Sequence, residues 1–266
     1  MKIGFIGTGN MGGALARAAA KGGHTLLLAN RTPAKAEALA KELGGTVCPN
    51  AQAAETAELL FLGVKPQGLP GLAGELAPVL QARKGNAPVV VSMATAVTLR
   101  ELDAMLGGGL PLIRIMPNTP AAVGAGTILY AAQNVTDAQL SAFRAVLAQA
   151  GLLLPLPEEK IDAASAISGC GPAFCFQFAD ALALGGVRAG LSYPDACRLA
   201  AQTMLGAAEM LLQGGEAPDV LKMRVCSPAG TTIEGVLALE QGGFSYTVQN
   251  AVTAAYRRTV EMTRKG

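Results

Sequence analysis

The chain has 266 residues, 51% of them hydrophobic and 15% charged, and a net charge of +2 from 21 basic and 19 acidic side chains. That is apolar material for one large domain or two modest ones, and with no basic run and only four Tyr and seven Phe it excludes nucleic acid as an expected partner. Five Cys without a CxxC pair, and His24 as the single His, exclude a zinc site and a disulfide framework, so no metal is expected and a reducing cytoplasm fits best.

The chain opens on "KIGFIG" (2–7), a short apolar run that reads as a buried strand rather than a signal peptide. Gly7-x-Gly9-x-x-Gly12 follows it and opens a helix over about 11–22. In that context the three glycines are a dinucleotide fingerprint. Gly7 allows the tight turn, Gly9 admits a diphosphate to the backbone, and Gly12 lets helix and strand pack closely. The next strand, "TLLLAN" (25–30), decides which nucleotide. NAD sites place Asp or Glu at its end, whereas Asn30-Arg31-Thr32 stand here. A carboxylate repels a 2′-phosphate, and Asn, Arg and Thr can all donate to one, so NADPH is expected, with NADH as a secondary reductant. His24, in "KGGHT", reads as a turn residue.

Helices over about 33–43, 70–82 and 98–106 alternate with strands "LLFLGV" (59–64), "PVVVSM" (88–93) and "LIRIM" (112–116). This alternation predicts an α/β Rossmann-like doubly wound sheet, parallel and covered on both faces. "TILYAA" (127–132) and "LLLPLP" (152–157) can extend it, with a helix near 136–149. After Pro157 the strands stop. Helices fit about 159–186, 193–213, 216–224, 231–241 and 245–264, so the expected domains are 1–157 and an all-α 158–266. The uncharged run "AASAISGCGPAFCFQFA" (163–179) reads as a buried helix kinked at Gly-Cys-Gly-Pro, not as a membrane span. In "VCSPAGTTIEG" (225–235), Ser227-Pro228 and Thr231-x-x-Glu234 both have the form of helix starts. A helix start presents unpaired N–H groups and is suited to a small carboxylate.

Taken together, "GFIGTGNMG", "LLFLGVKPQ", "RIMPNTP", "ISGCGPAF" and "CSPAGTTIEG" resemble, in order and along the whole length, the pyrroline-5-carboxylate reductases of proline biosynthesis. The resemblance implies NAD(P)H-dependent reduction of 1-pyrroline-5-carboxylate, a cyclic imine, to proline. It implies a homodimer or larger oligomer built through interlocked C-terminal helices. It implies cofactor contacts at Ile6, Gly7, Thr8, Gly9, Asn10 and Met11, at Asn50, at Val64, Lys65, Pro66 and Gln67, at Met93, Ala94 and Thr95, and at Pro117 and Asn118. It places the Ser227 hydroxyl and the N–H groups of Gly230 and Thr231 on the substrate carboxylate, and the Thr232 hydroxyl, the one catalytic candidate, at the ring nitrogen. Cys170, Cys226 and Ala229 depart from the family pattern, which has Ser, Thr or Ser, and Gly there. Two alternatives stand beside this reading. One is another NADP-dependent imine or 3-hydroxyacid reductase, which would want a Lys near 160–180, where only Lys160 lies. The other is a non-catalytic NADP-binding relative acting as a regulator.

Overall fold

The computed structural model describes residues 1–263. It divides into two compact units, one of residues 1–170 together with the chain's end from Tyr256, the other Gly171–Ala255.

The first unit is built on one sheet. Its strands are β1 (Lys2–Ile6), β2 (Thr25–Ala29), β3 (Thr46–Val47), β4 (Leu59–Leu62), β5 (Val89–Ser92), β6 (Leu112–Pro117), β7 (Gly126–Gln133) and β8 (Gly151–Pro155), in the order β3-β2-β1-β4-β5-β6-β7-β8. The chain passes from β3 back across β1 to lay down β4, and that reversal is where doubly wound sheets bind their ligands. The helices between strands are α1 (Asn10–Ala20), α2 (Pro33–Leu43), α3 (Asn50–Thr56), α4 (Leu69–Ala82), α5 (Leu99–Met105) and α6 (Asp137–Leu147), and α7 (Glu158–Ser168) follows the last strand.

The sheet is mixed, which corrects the wholly parallel expectation. The runs at 127–132 and 152–157 do join it, but β7 pairs antiparallel with β6, and β8 then pairs parallel with β7. The β6–β7 connection holds no crossover helix, and without one a strand can only return antiparallel. β3 and α3 were not foreseen. A two-residue strand and a seven-residue helix are each too short to set up a period.

Except along its edge strands β3 and β8, both faces of the sheet are buried. On one, Phe5 and Phe61 stack with ring centroids 4.6 Å apart, packed with Leu15, Val91, Ile113 and Phe143. On the other lie Leu60, Leu62, Leu76, Val90, Leu112 and Leu129. Burial on both faces is why these strands read as continuous apolar runs rather than alternating ones.

The second unit is helical: α8 (Gly171–Arg188), α9 (Tyr193–Gly214), α10 (Pro218–Val225), α11 (Thr231–Gln241) and the start of α12 (Phe244–Thr263). Ser192 caps α9 by accepting the Asp195 N–H, and Gly215, with φ 64°, ends it. Its buried residues are Ala183, Ala196 and Ala200. The stretch Glu158–Arg188 is long and apolar enough to cross a membrane by length and composition alone. It is not one helix, since α7 ends at Ser168 and α8 begins at Gly171, so the expected kink is a break. The expectation that it is buried fails within one chain: Phe176 is 70% exposed. The unit is a layer of helices with too few neighbours to cover its own apolar faces.

The expected boundary at 157/158 marks the change from strand-bearing to helical sequence. The compact units part later, at Cys170 and Gly171, because α7 packs on β6 and β7. Residues 264–266, which the expected second domain includes, lie outside the described residues.

Candidate functional site

At the carboxyl edge of the sheet the register aligns Ile6 with Ala29 and Leu62, Leu62 with Ser92, and Ser92 with Arg114. The segments that follow Ile6, Ala29, Leu62 and Ser92 therefore leave the sheet side by side, and β6, parallel to β5, runs on past Arg114 to Pro117 at the same end of the sheet. They carry Gly7–Met11, Asn30–Thr32, Val64–Gln67, Met93–Thr95 and Asn118, so one edge gathers nearly every residue expected at a cofactor. Asn50 joins them at the start of α3, just past β3.

The glycine loop is built as its sequence demands. Gly7 has φ 99°, and a Cβ there would lie 2.5 Å from the Gly63 carbonyl oxygen. Gly12 passes so close to Gly7 that a Cβ would lie 2.0 Å from the Gly7 oxygen. Gly9 is the opposite case: a Cβ would meet no atom within 4 Å, because this face of the loop is open. Gly9 is also the N-cap of α1, which has no side-chain cap and no acidic residue in its first turn. Free N–H groups, partial positive charge and open space suit a diphosphate. The hydroxyl of Thr8, a residue only 7% exposed, has no hydrogen-bond partner among the described residues. A dinucleotide diphosphate fits this cradle.

At the end of β2, Arg31 and Thr32 are exposed, and Arg31 has no ion pair among the described residues. Thr32 is the N-cap of α2, again with no side-chain cap and no acid in the first turn. That surface can accept a 2′-phosphate. Asn30 is engaged differently from the expectation that it donates to that phosphate. Its Oδ1 accepts the Thr8 N–H at 3.1 Å and its Nδ2 donates to the Thr32 carbonyl at 2.9 Å. Asn118 is likewise engaged: its amide donates to the Ser168 carbonyl at 2.8 Å and its Oδ1 accepts the Thr127 N–H at 2.8 Å. It ties β6 to β7 and to the last turn of α7. The Asn50 amide donates to Glu75 at 3.0 Å. Lys65 is exposed, Ala94 is buried, and Met93 and Thr95 are half-buried.

Three features of this edge were not singled out from sequence. Gly63 meets Gly7 backbone to backbone, the same close approach seen from the other loop; its signal was the Gly directly after a strand in "LGVKP". Ala96 holds φ 62°, a conformation that nothing in its residue type announces. Arg114 is buried at 2% exposure. Its guanidinium reaches Asp162 at 2.5 Å and Glu158 at 3.4 Å, and the Glu158 carboxylate also accepts the Leu99 N–H at 2.7 Å. Glu158 and Asp162 are four apart on α7 and so share one face of it.

In the second unit, residues Ser227 to Gly230 form a turn closed by the Gly230 N–H donating to the Ser227 carbonyl at 3.0 Å. Pro228 stands second and Ala229, with φ 56°, third, the pattern of a type II turn. A Cβ at Gly230 would lie 2.2 Å from the Ser227 Oγ, so a larger residue there would have to turn that hydroxyl away from its present position. Neither expected helix cap forms. The N-cap of α11 is Gly230, without a side-chain cap, and Thr231 is the first helical residue, so Thr231 and Glu234 make no capping box. The Gly230 N–H, expected at a carboxylate, is engaged in closing the turn. The Ser227 and Thr232 side chains are exposed, and the N–H of Thr231 has no partner among the described residues. Beside the turn, Cys226 is a half-buried free cysteine at the end of α10.

A doubly wound sheet with an open glycine loop at its switch point defines a dinucleotide-binding protein, of the kind on which nicotinamide-dependent oxidoreductases are built. The comparisons narrow the class. A profile described as "Pyrroline-5-carboxylate reductase dimerisation" matches residues 158–262, and one described as "NADP oxidoreductase coenzyme F420-dependent" matches residues 2–96. A pyrroline-5-carboxylate reductase of Synechocystis is 39% identical over all of this chain and 99% of its own, and pyrroline-5-carboxylate reductase 3 of Macaca fascicularis is 35% identical over 99% and 97%. The crystal structure of a Plasmodium falciparum pyrroline carboxylate reductase with NADP bound superposes with a TM-score of 0.86 at 30% identity, covering 99% of both chains. The chain belongs to the pyrroline-5-carboxylate reductase family. A Streptomyces aurantiacus imine reductase, at 20% identity and a TM-score of 0.58, shares the fold.

Proposed function

We propose that the protein reduces 1-pyrroline-5-carboxylate to L-proline, the last step of proline biosynthesis, with NADPH preferred over NADH. The observation that carries this reading is likeness over the full length of the chain, with "MPNTP" and, but for Ala229, the "SPAGTT" motif in their places.

Bound NADPH supplies a hydride. The chain's own residues do the rest. The glycine loop and the α1 N-terminus hold the diphosphate, and Arg31 and Thr32 hold the 2′-phosphate. Val64–Gln67 and Met93–Thr95 line the same sheet edge. The Ser227 hydroxyl and the Thr231 N–H hold the substrate carboxylate at the positive end of α11. The Thr232 hydroxyl serves the ring nitrogen, which gains a proton as the imine carbon is reduced. Such a reduction needs no strong base, metal or covalent nucleophile, only two reacting carbons held close and oriented. That accounts for a site without a charged dyad.

The 158–266 segment acts as the substrate-binding and dimerisation part and 1–157 as the cofactor part, in a soluble, cytoplasmic homo-oligomer. The dimerisation profile, beginning at residue 158, supports this division. The 3-hydroxyacid alternative is weakened by Lys160, which is exposed in the first turn of α7. The intact turn at 227–232 speaks against a non-catalytic regulator. Steady-state oxidation of NADPH with pyrroline-5-carboxylate as substrate should show turnover, with a higher kcat/KM for NADPH than for NADH. Reduction of an acyclic β-keto acid but not of the cyclic imine would overturn the reading.

A further inference from the structure

Asn30 has both ends of its carboxamide engaged, and its two partners lie on two different loops. The amide orientation is unambiguous, because one partner is an N–H and the other a carbonyl. The N–H belongs to Thr8, directly before the N-cap of α1. The carbonyl belongs to Thr32, the N-cap of α2, whose oxygen also accepts the first bond of that helix from the Lys35 N–H at 3.1 Å. Asn30 therefore braces together two helix N-termini, and neither has a side-chain cap of its own. Thr8 is a second sign that the brace serves a ligand. Its N–H faces Asn30 while its buried hydroxyl is left without a partner among the described residues.

We propose that Asn30 is a positioning residue that sets cofactor specificity without touching the 2′-phosphate. It holds the Arg31–Thr32 segment at a fixed place relative to the glycine loop, so the two phosphate-binding loops act as one rigid body. Arg31 supplies the charge, and Asn30 supplies its registration to the diphosphate. A bridged ligand gains from two sites only when the distance between them is already set, because otherwise its binding must order one loop against the other. The inference rests on the reading that Arg31 and Thr32 receive a 2′-phosphate, and it deepens that reading.

The test is calorimetric titration of the intact oligomer with NADP⁺, NAD⁺ and adenosine 2′,5′-bisphosphate, for wild type, Arg31→Ala, Asn30→Ala and the double variant. Arg31→Ala should weaken NADP⁺ and the bisphosphate by about tenfold or more, the effect of losing a charged hydrogen bond, and spare NAD⁺. Asn30→Ala should weaken all three ligands, NAD⁺ included, because the glycine loop loses its brace. In the Asn30→Ala background the penalty of Arg31→Ala should shrink, since an unbraced Arg31 no longer meets the phosphate in register; such non-additivity marks residues that work as a unit. If Asn30→Ala spares NAD⁺ and its penalty adds in full to that of Arg31→Ala, Asn30 is a direct donor and the brace is refuted. If Arg31→Ala leaves NADP⁺ affinity unchanged, the 2′-phosphate reading fails instead, while the response of NAD⁺ to Asn30→Ala still decides the brace. Should Asn30→Ala fail to fold, Asn30→Ser gives the same readout, because its shorter hydroxyl cannot reach both partners at once.

Discussion

The two units of this chain solve burial in opposite ways. The first closes a core on both faces of its sheet, with Phe5, Phe61 and Phe143 fully covered. The second has three buried residues, all alanines, and leaves Phe176, Leu212 and Tyr246 at 70%, 81% and 71% exposure. A cavity of about 520 Å³ among Phe174, Phe178, Leu182, Leu239, Phe244 and Val248 belongs to that same apolar surface. Contiguous apolar surface of this kind marks a protein interface. The first unit is thus specified by its own chain, and the second is half of something, as the dimerisation profile over 158–262 implies. Local propensity suffices to make the helices, and packing by a partner has to make them stable.

The sharpest break in the comparison is electrostatic. In the first unit the Arg114 guanidinium is buried between two carboxylates of α7, whereas in the second the pair Arg198–Asp195 is exposed at 83% and 62%. Removing one partner of a buried pair strands the others. Arg114→Ala should destabilise the protein by about 3–5 kcal/mol, and Arg198→Ala by less than about 1 kcal/mol. Urea unfolding of the cofactor-free protein measures both. Equal effects would mean that the α7 network is solvated and does not hold α7 on the sheet.

Charge on the exposed apolar faces tests the other half of the contrast. Phe176→Asp on α8 should weaken subunit association by about 2–4 kcal/mol, as truncating an interface anchor does. Val47→Lys, on the exposed edge strand β3, should shift stability by no more than about 0.5 kcal/mol, as surface changes do. Sedimentation at micromolar concentration reads the first and thermal unfolding the second. A Phe176→Asp protein that sediments unchanged would place the dimer contact elsewhere on the helical unit.

The same contrast explains what the sequence made legible. Every strand of the first unit longer than two residues was visible, because burial on both faces leaves an unbroken apolar run; the exception in cause is the edge strand β8, which is apolar in sequence although Leu152 and Leu154 are exposed. The direction of β7 was not visible, because it depends on the shortness of the β6–β7 connection and not on any residue of β7. The roles of Asn30 and Asn118 were also hidden. Sequence shows a carboxamide near a cofactor, but only geometry shows that both of its ends are already taken. Arg114 was read as part of "RIMPNTP", and nothing within that motif reveals that its partners are two acids more than forty residues away. In the helical unit the elements were legible and the burial was not, since burial there involves a second chain.

The roles proposed for Ser227 and Thr232 separate binding from chemistry on a smaller scale. Thr232→Ala should lower kcat on the order of a hundredfold with little change in KM, because its hydroxyl acts where charge changes in the reaction. Ser227→Ala should mainly raise KM, by about tenfold, because a carboxylate contact differs little between ground and transition states. Steady-state kinetics with saturating NADPH distinguishes the two. If both variants keep wild-type constants, the segment is only the entry to α11.

The smallest effect expected is at Ala229, and it tests whether strain at that turn serves function. Ala229 holds φ 56°, where an L-residue is disfavoured by about 1 kcal/mol and glycine is not. Pro228 before it and the Gly230 N–H bond after it leave the turn little freedom to relax. Ala229→Gly removes the strain, but it also gives the unfolded chain more freedom, which offsets about 0.4–1 kcal/mol of the gain. The net change in thermal stability should therefore be near zero. The kinetic change should not be. With glycine the unbound turn samples more conformations, so the Ser227 hydroxyl and the Thr231 N–H must be ordered when substrate arrives, and KM for the imine should rise severalfold at unchanged kcat. A fall in KM with a clear rise in melting temperature would show instead that Ala229 is a tolerated defect, and that the turn works better in the glycine form the family usually carries.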